Sequence, residues 1–211
     1  MIQSKKIEHL RIITNATIVK DEYLEILKTV PDLTLRISID GTHDRYEFIR
    51  YPAKWDETKE NILKFQKELP NANIEVVMVM QPLSIYSVFD WLEFANTNAL
   101  KTFWSNILGT EVNWDILTVA ERTAVSEFIM QGVKGNNVTP QQKLSLINYS
   151  KNTIQHLSFD PLARATAVEK IVMLCKYRKI SLDMLQSVIE NFPDLEQEII
   201  KYETSYNSHS R

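Results

Sequence analysis

Residues 33–40 alternate between apolar and polar side chains with a period of two. The odd-numbered positions hold leucine or isoleucine, and the even-numbered positions hold Thr34, Arg36, Ser38 and Asp40. A period of two is the signature of a β-strand with one buried face and one polar face. We therefore predict a strand here, with one apolar face and one polar face.

Three further apolar runs predict strands at residues 10–14, 74–81 and 101–108. Between them, apolar residues recur at helical spacing in residues 20–30, 55–69 and 84–96. Strands and helices that alternate in this way form βαβ units, whose crossovers leave successive strands parallel. The pattern therefore predicts an α/β fold with about four parallel strands.

From residue 109 onward, the sequence shows helix start signals and no further strand pattern. Thr118 and Glu121 have the spacing of a capping box, and Pro140 and Pro161 each follow a capping residue at the first helical position. We predict three regions, which are an α/β part over residues 1–108, a helical region over 109–203 and a disordered tail over 204–211.

Composition narrows the class of protein. The 211 residues are 44% hydrophobic and 24% charged with a formal net charge of -3, which is typical of a globular protein and does not favour bulk nucleic-acid binding. The single cysteine, Cys175, excludes a disulfide framework and a four-cysteine metal site within these residues. No apolar run reaches the roughly 18 residues of a membrane helix. We expect a cytoplasmic protein without a membrane partner.

Polar residues cluster after the alternating strand, at Ser38, Asp40, His43, Asp44 and Arg50. Ligands of parallel α/β proteins collect at the carboxyl ends of strands, and arginine binds a carboxylate through two parallel hydrogen bonds. The alternative is that these are turn residues and that the arginine pairs with a surface acid. Spacing alone favours this alternative, because short motifs are weak signals.

Asn15 and Gln81 each follow a neighbouring predicted strand, so both fall at the same sheet edge. The alternative for each is that it only ends its strand. His43 and Asp44 have the residue types of a proton-transfer pair, but adjacent side chains often point apart, so we expect no catalysis there. The sequence has no P-loop, G-x-G-x-x-G, G-x-S-x-G or H-E-x-x-H motif.

Several of these motifs together resemble the radical S-adenosylmethionine (radical SAM) family. They are Ile12-Ile-Thr-Asn15, Ile37-Ser-Ile-Asp-Gly41, His43-Asp44 and Phe48-Ile-Arg50, in that order. Residues 46–53 with Trp55 resemble a subgroup with a twitch or SPASM extension, common in phage and environmental genomes. The resemblance covers residues 10–95 best.

The resemblance implies a partial (β/α)6 barrel that binds S-adenosylmethionine across the carboxyl ends of its strands. It implies five residues that line the cofactor site: Asn15, Ser38, Asp40, Arg50 and Gln81. The polar face of the alternating strand would then point into the barrel lumen. The resemblance assigns no catalytic residue and no metal ligand to this sequence.

The sequence departs from the family in one respect. The Cys-x-x-x-Cys-x-x-Cys loop that holds the family's 4Fe-4S cluster is absent, as are the cysteines of an auxiliary cluster. Three explanations stay open: a truncated product, half of a split enzyme whose partner supplies the cluster, or a degenerate relative retained for binding. The intact motifs favour truncation or splitting.

The expected function is therefore the C-terminal portion of a radical SAM-type enzyme that acts on a peptide, as a peptide maturase does, or on another substrate. We expect it to be inactive alone. The alternative is a non-catalytic partner-binding or scaffold protein, in which the helical region recognises the partner.

Overall fold

The computed structural model describes residues 7–106 and 113–209. In this part of the chain four parallel strands form one sheet in the order β1-β2-β3-β4. The strands are β1 His9–Thr14, β2 Asp32–Ser38, β3 Asn73–Met80 and β4 Lys101–Asn106. The predicted α/β fold with a four-stranded parallel sheet is confirmed. Residues 107–108 of the predicted fourth strand lie outside the described residues.

Four helices connect the strands: α1 Asp21–Leu27, α2 His43–Ile49, α3 Trp55–Glu68 and α4 Val88–Thr97, the last preceded by a 3-10 turn at Ile85–Ser87. Helix α2 lies between the strand predicted at residues 33–40 and the helix predicted at residues 55–69, where the apolar pattern predicts no helix. Its seven residues are too short for a clear apolar period, and burial of Arg45, Tyr46 and Phe48 stabilises it instead.

The two faces of the sheet differ in their cover. In β2 the leucine and isoleucine side chains are buried against the helices, whereas Thr34, Arg36 and Ser38 on the other face are half-buried. On that second face, Ile13 of β1 is 69% exposed and Phe103 of β4 is 41% exposed. We call this the open face of the sheet. Closure of the sheet into a barrel stays a prediction.

Residues 113–209 contain five α-helices: α5 Val119–Gly135, α6 Pro140–Tyr149, α7 Pro161–Arg178, α8 Leu182–Ile189 and α9 Pro193–His209. A 3-10 turn at Trp114–Ile116 precedes α5, and a π-helical turn at Ser150–Ile154 continues α6. The predicted capping boxes of Thr118 and Thr139 are both formed.

Helix α9 extends to His209, although the sequence predicts a disordered tail from residue 204. Its last turns are held against α7, where the Lys176 ammonium lies 3.5 Å from the centroid of the Tyr206 ring. A tertiary contact of this kind is invisible to local sequence patterns. Residues 210–211 lie outside the described residues.

The helical region packs directly on the sheet region. The Arg45 guanidinium of α2 donates to the Val188 carbonyl of α8 at 2.5 Å and to the Ser187 carbonyl at 3.2 Å. One continuous hydrophobic core contains side chains of both regions. The predicted division near residue 109 stays a prediction. No helix in the described part of the chain has the length and apolarity needed to cross a membrane.

Candidate functional site

An ion pair marks the carboxyl end of β2. Arg50 Nη2 lies 2.5 Å from Asp40 Oδ2, and the Val79 N–H of the neighbouring strand donates to Asp40 Oδ1 at 3.4 Å. Asp40 is buried, whereas the Arg50 side chain is 31% exposed. The Arg50 Nε atom is buried without a hydrogen-bond partner among the described residues. The pair therefore consists of a buried Asp40 carboxylate and a partly exposed Arg50 guanidinium that still has a hydrogen-bond donor without an acceptor.

The chain reaches this arrangement through a short helix. The Ile39 N–H still donates to the Val77 carbonyl at 2.7 Å, so Asp40 continues the pleat of β2 on the face of Ser38. Helix α2 follows, and Arg50 directly after its last residue lies over the strand end. Tyr46 anchors that helix, because its hydroxyl lies 2.9 Å from Thr58 Oγ1 and its ring packs edge-on against Trp55.

Burial dominates the titration of Asp40. Removal from water raises the pKa of Asp40, while the charge and hydrogen bond of Arg50 and the Val79 N–H oppose the rise. The proximity of a guanidinium therefore only partly compensates the desolvation of this carboxylate.

Ser38 and Gln81 lie at the same sheet edge with unused side-chain groups. Ser38 pairs in register with Val77, and Gln81 comes directly after β3. The Gln81 carbonyl accepts from the N–H groups of Ser84 and Ile85, which forms the turn after the strand. The Ser38 hydroxyl and the Gln81 amide have no hydrogen-bond partner in residues 7–106 and 113–209, so both are free to bind a ligand.

Asn15 is less available. It is exposed, and its Oδ1 accepts from the Thr17 N–H at 3.2 Å and from the Thr17 hydroxyl at 2.9 Å. This is the local hydrogen bonding by which asparagine ends a strand. Among the five predicted site residues, the structure shows direct contact only between Asp40 and Arg50, and it places the other three at the ends of neighbouring strands.

His43 and Asp44 are both exposed on α2. No hydrogen bond joins them, and the His43 ring lies 6.1 Å from that of Trp55. The absence of catalysis at this pair stays a prediction.

Tyr149 also lies at this edge of the sheet, although no sequence pattern predicts it there. Its hydroxyl donates to the Met80 carbonyl at 3.2 Å and accepts from Trp114 Nε1 at 2.8 Å. Burial raises the pKa of Tyr149 to about 12, so the hydroxyl stays protonated near neutral pH. Nothing near Tyr149 in the sequence indicates its place, because its partner lies 69 positions away.

The centre of the open face carries a second ion pair, which the sequence pattern did not predict. Arg36 donates to Glu75 Oε2 from Nε at 2.9 Å and from Nη2 at 2.7 Å, and Asn73 Nδ2 donates to Glu75 Oε1 at 2.8 Å. Burial alone would raise the pKa of Glu75, but these hydrogen bonds and the Arg36 charge outweigh it and lower the pKa. Arg36 is thus committed to Glu75, whereas Arg50 keeps an unused donor.

The residues present do not fit an iron–sulfur cluster. The one cysteine of the sequence, Cys175, is buried in α7, and burial raises its pKa to about 11, which disfavours the thiolate that ligates iron. The free groups of Ser38, Arg50 and Gln81 do fit a small ligand that carries a carboxylate and hydroxyl groups.

Residues 1–94 match the model of the Radical SAM superfamily. This range contains β1 to β3, the ion-paired strand end and the first seven residues of α4. No curated protein matches the chain.

Proposed function

We propose that this chain is the C-terminal portion of a radical SAM-type enzyme and that its sheet edge helps to bind S-adenosylmethionine, since residues 1–94 match the model of the Radical SAM superfamily. The observation that carries the proposal is Arg50. Its guanidinium is held over the strand end by Asp40, yet its buried Nε lacks a partner. A buried donor without an acceptor costs about 1–3 kcal/mol, which an incoming acceptor recovers.

Each residue of the edge has a proposed role. The free donors of Arg50 bind the methionine carboxylate of the ligand, since a guanidinium and a carboxylate form strong paired hydrogen bonds. The Ser38 hydroxyl and the Gln81 amide bind its ribose or amino group. Asp40 is a positioning residue, because it touches Arg50 rather than the ligand. Asn15 contributes only through its side-chain Nδ2 group, because its Oδ1 already accepts two hydrogen bonds from Thr17.

The 4Fe-4S cluster is the second group that the family implies. S-adenosylmethionine, when reduced by that cluster, serves the family as its source of radicals. These 211 residues cannot supply three cysteine ligands. We therefore propose that another polypeptide segment supplies the cluster and that this chain is inactive alone. A peptide is the proposed substrate class, because residues 46–53 with Trp55 resemble relatives with a twitch or SPASM extension.

The edge of β1 is the proposed docking place for that segment. In the described residues β1 pairs only with β2, so its other side presents unpaired backbone groups. Beside it lies an apolar groove of about 410 Å³, whose lining includes Leu10, Ile12, Ile18 and Ile26. A free parallel edge next to an apolar groove fits one strand followed by one amphipathic helix, which is a βα unit.

Ligand binding tests the first part of the proposal. Binding of S-adenosylmethionine to the full chain is measured by equilibrium dialysis with radiolabelled ligand. We expect weak binding, because the cluster that would hold the ligand's amino and carboxylate groups is absent. Arg50→Lys keeps the charge but removes the fork, and we expect at least a tenfold loss, about 1.4 kcal/mol.

Arg178→Lys is the matched control. Arg178 is also half-buried, and it donates to the Phe48 carbonyl at 3.0 Å rather than facing the strand end. The Arg178→Lys variant should bind S-adenosylmethionine with the same affinity as the unmodified chain. Equal affinity of the Arg50 and Arg178 variants, or tight binding by the chain alone, would contradict the proposed site.

An exposed apolar surface on the helical region favours the second candidate, a partner-binding or scaffold protein. Leu162 and Tyr177 of α7 are 76% and 88% exposed, and Leu162 borders a groove of about 460 Å³ between α7 and α9. An apolar surface of this kind is typical of an interface for a partner helix.

A matched pair of variants separates the two candidates. Ile13→Asp places a charge beside the β1 edge, and Leu162→Asp places one on α7. With a protein that carries the Cys-x-x-x-Cys-x-x-Cys motif, the split-enzyme proposal expects Ile13→Asp to abolish co-purification and Leu162→Asp to preserve it. The reverse result supports the partner-binding candidate.

A further inference from the structure

Among residues 7–106 and 113–209 three arginine side chains are buried, and two of them donate to several acceptors. Arg45 donates to the carbonyls of Leu83, Ser187 and Val188. Arg164 has more acceptors still, which are both carboxylate oxygens of Glu121, Oε1 of Glu198 and the Ile116 carbonyl.

Arg122 of α5 differs from both. It is only 4% exposed, and its side chain makes no hydrogen bond or ion pair within the described ranges 7–106 and 113–209. Its Nη1 atom is fully enclosed without a partner. The adjacent Glu121 cannot serve as counter-ion, because its carboxylate is occupied by Arg164, by the Leu195 N–H and by the Thr118 capping box.

An unmatched buried guanidinium is a costly feature. A lysine or a carboxyl group in this position can lose its charge by a shift in pKa, but arginine stays protonated at any physiological pH. Burial of an ion without a partner costs several kcal/mol. A fold that keeps Arg122 in this position therefore indicates a counter-charge from outside the described residues.

A second unmatched group lies one helical turn away. The Ser126 hydroxyl is buried without a partner, and residues four apart on a helix share one face. Helix α5 also packs against the π-helical turn Ser150–Ile154, a type of turn that is rare and is enriched at functional sites. Arginine and serine are both donors, so the pair offers hydrogen bonds to an acceptor with negative charge.

We propose that Arg122 and Ser126 form an oxyanion-binding site on the buried side of α5. The guanidinium binds two oxygens of a carboxylate or phosphate group, and the hydroxyl donates to one of them. The small exposed fraction of Arg122 limits the ligand to a small oxyanion or to the terminal oxyanion group of a larger molecule. The site is separate from Asp40 and Arg50 and does not depend on the proposed function.

Thermal unfolding of the full chain tests the site. Inorganic phosphate and acetate are the two probes, each titrated at ionic strength held constant with sodium chloride. Phosphate or acetate bound only to the folded state should raise the melting temperature with the logarithm of its concentration above Kd, by about 5–10 °C at a hundredfold excess over Kd. The probe whose effect begins at the lower concentration identifies the class of oxyanion.

Arg122→Met should remove this response and, without anion, should melt higher than the unmodified chain, because it removes an unmatched charge. Ser126→Ala keeps the guanidinium and should weaken the affinity several-fold, which also tests the site if Arg122→Met does not fold. Arg11→Met removes an exposed arginine of β1 and should keep the full response. An anion response that survives Arg122→Met, or no response of the unmodified chain to either probe, overturns the proposal.

Discussion

The Arg164 guanidinium lies 2.6 Å from the Glu121 carboxylate, and both side chains are 2% exposed. The pair links α7 to the first turn of α5, and the Leu195 N–H adds α9 to the same carboxylate. Three helices that are distant in sequence thus meet at one buried charge pair. Each partner keeps the other from being an unmatched buried ion, so removal of only one should be far more damaging than removal of both.

We expect Arg164→Met to lower the free energy of unfolding by about 3–5 kcal/mol, because it leaves Glu121 buried and charged. The double variant Arg164→Met with Glu121→Leu should lose less than the sum of the single changes. Urea denaturation gives each value. Lys59→Met, which breaks the exposed pair with Asp56, is the control and should cost less than about 1 kcal/mol. Additive single changes would show that the pair is not coupled.

Gly132 allows α5 to pack closely on α4. A Cβ at this position would lie 1.9 Å from Phe89 Cε2, whereas a Cβ at Gly135 on the same helix would meet nothing within 4 Å. Gly132→Ala should therefore lower the free energy of unfolding by about 1–3 kcal/mol. Gly135→Ala should raise it by up to about 1 kcal/mol, because alanine favours the helix. Denaturation midpoints compare them, and equal changes in both would contradict this packing.

Asp40 should make stability decrease as pH rises. Burial raises its pKa in the folded state above the value of 3.8 that applies to the unfolded chain, so the folded protein holds this proton more tightly. The stabilisation is complete below pH 3.8 and is lost as pH rises through the folded pKa. Compared with Asp40→Asn, the unmodified chain should lose stability over that window, as measured by urea denaturation from pH 3 to 6.

Asp21 is the control of opposite sign. The hydrogen bond and charge of Lys64 lower its pKa in the folded protein. Its contribution is present above pH 3.8 and is lost as pH falls through the folded pKa. Relative to Asp21→Asn, the unmodified chain should therefore gain stability as pH rises. If both differences in the free energy of unfolding changed in the same direction with pH, the raised pKa of Asp40 would be contradicted.

Cys175 should resist thiol reagents in the folded protein. Burial raises its pKa to about 11, so little thiolate forms at pH 8, and the side chain is shielded in α7. Labelling with a disulfide reagent should be slow in buffer and fast in denaturing urea. Because the sequence holds a single cysteine, the absorbance change in each of the two conditions reports the labelling rate of Cys175 alone. Rapid labelling of the folded chain would contradict the burial of this thiol.

The strands themselves could be predicted from sequence because the alternation of residues 33–40 and the apolar run of residues 74–81 are local patterns. Helix caps at Thr118 and Thr139 were equally local. Helix α2 was not predictable, because its stability comes from tertiary burial of Tyr46 and of the Arg45 hydrogen bonds.

The site shows the same limit. The residue types at the strand ends indicate that Asp40, Arg50 and Gln81 share one edge, because parallel strands end together. They do not reveal that Asp40 forms an ion pair with Arg50 or that the Asn15 side chain is hydrogen-bonded to Thr17. Those facts depend on side-chain directions after strand and helix have packed, and a linear pattern holds no such information.

The chain Trp114–Tyr149–Met80 places an indole within two hydrogen bonds of the backbone that leads into Gln81. Indole emission responds to the polarity and hydrogen bonding around the ring, so a displacement of this strand end by an occupant would change the light that Trp114 emits. The molecule thus contains its own optical probe, and the three other tryptophans can be replaced by phenylalanine to isolate that signal.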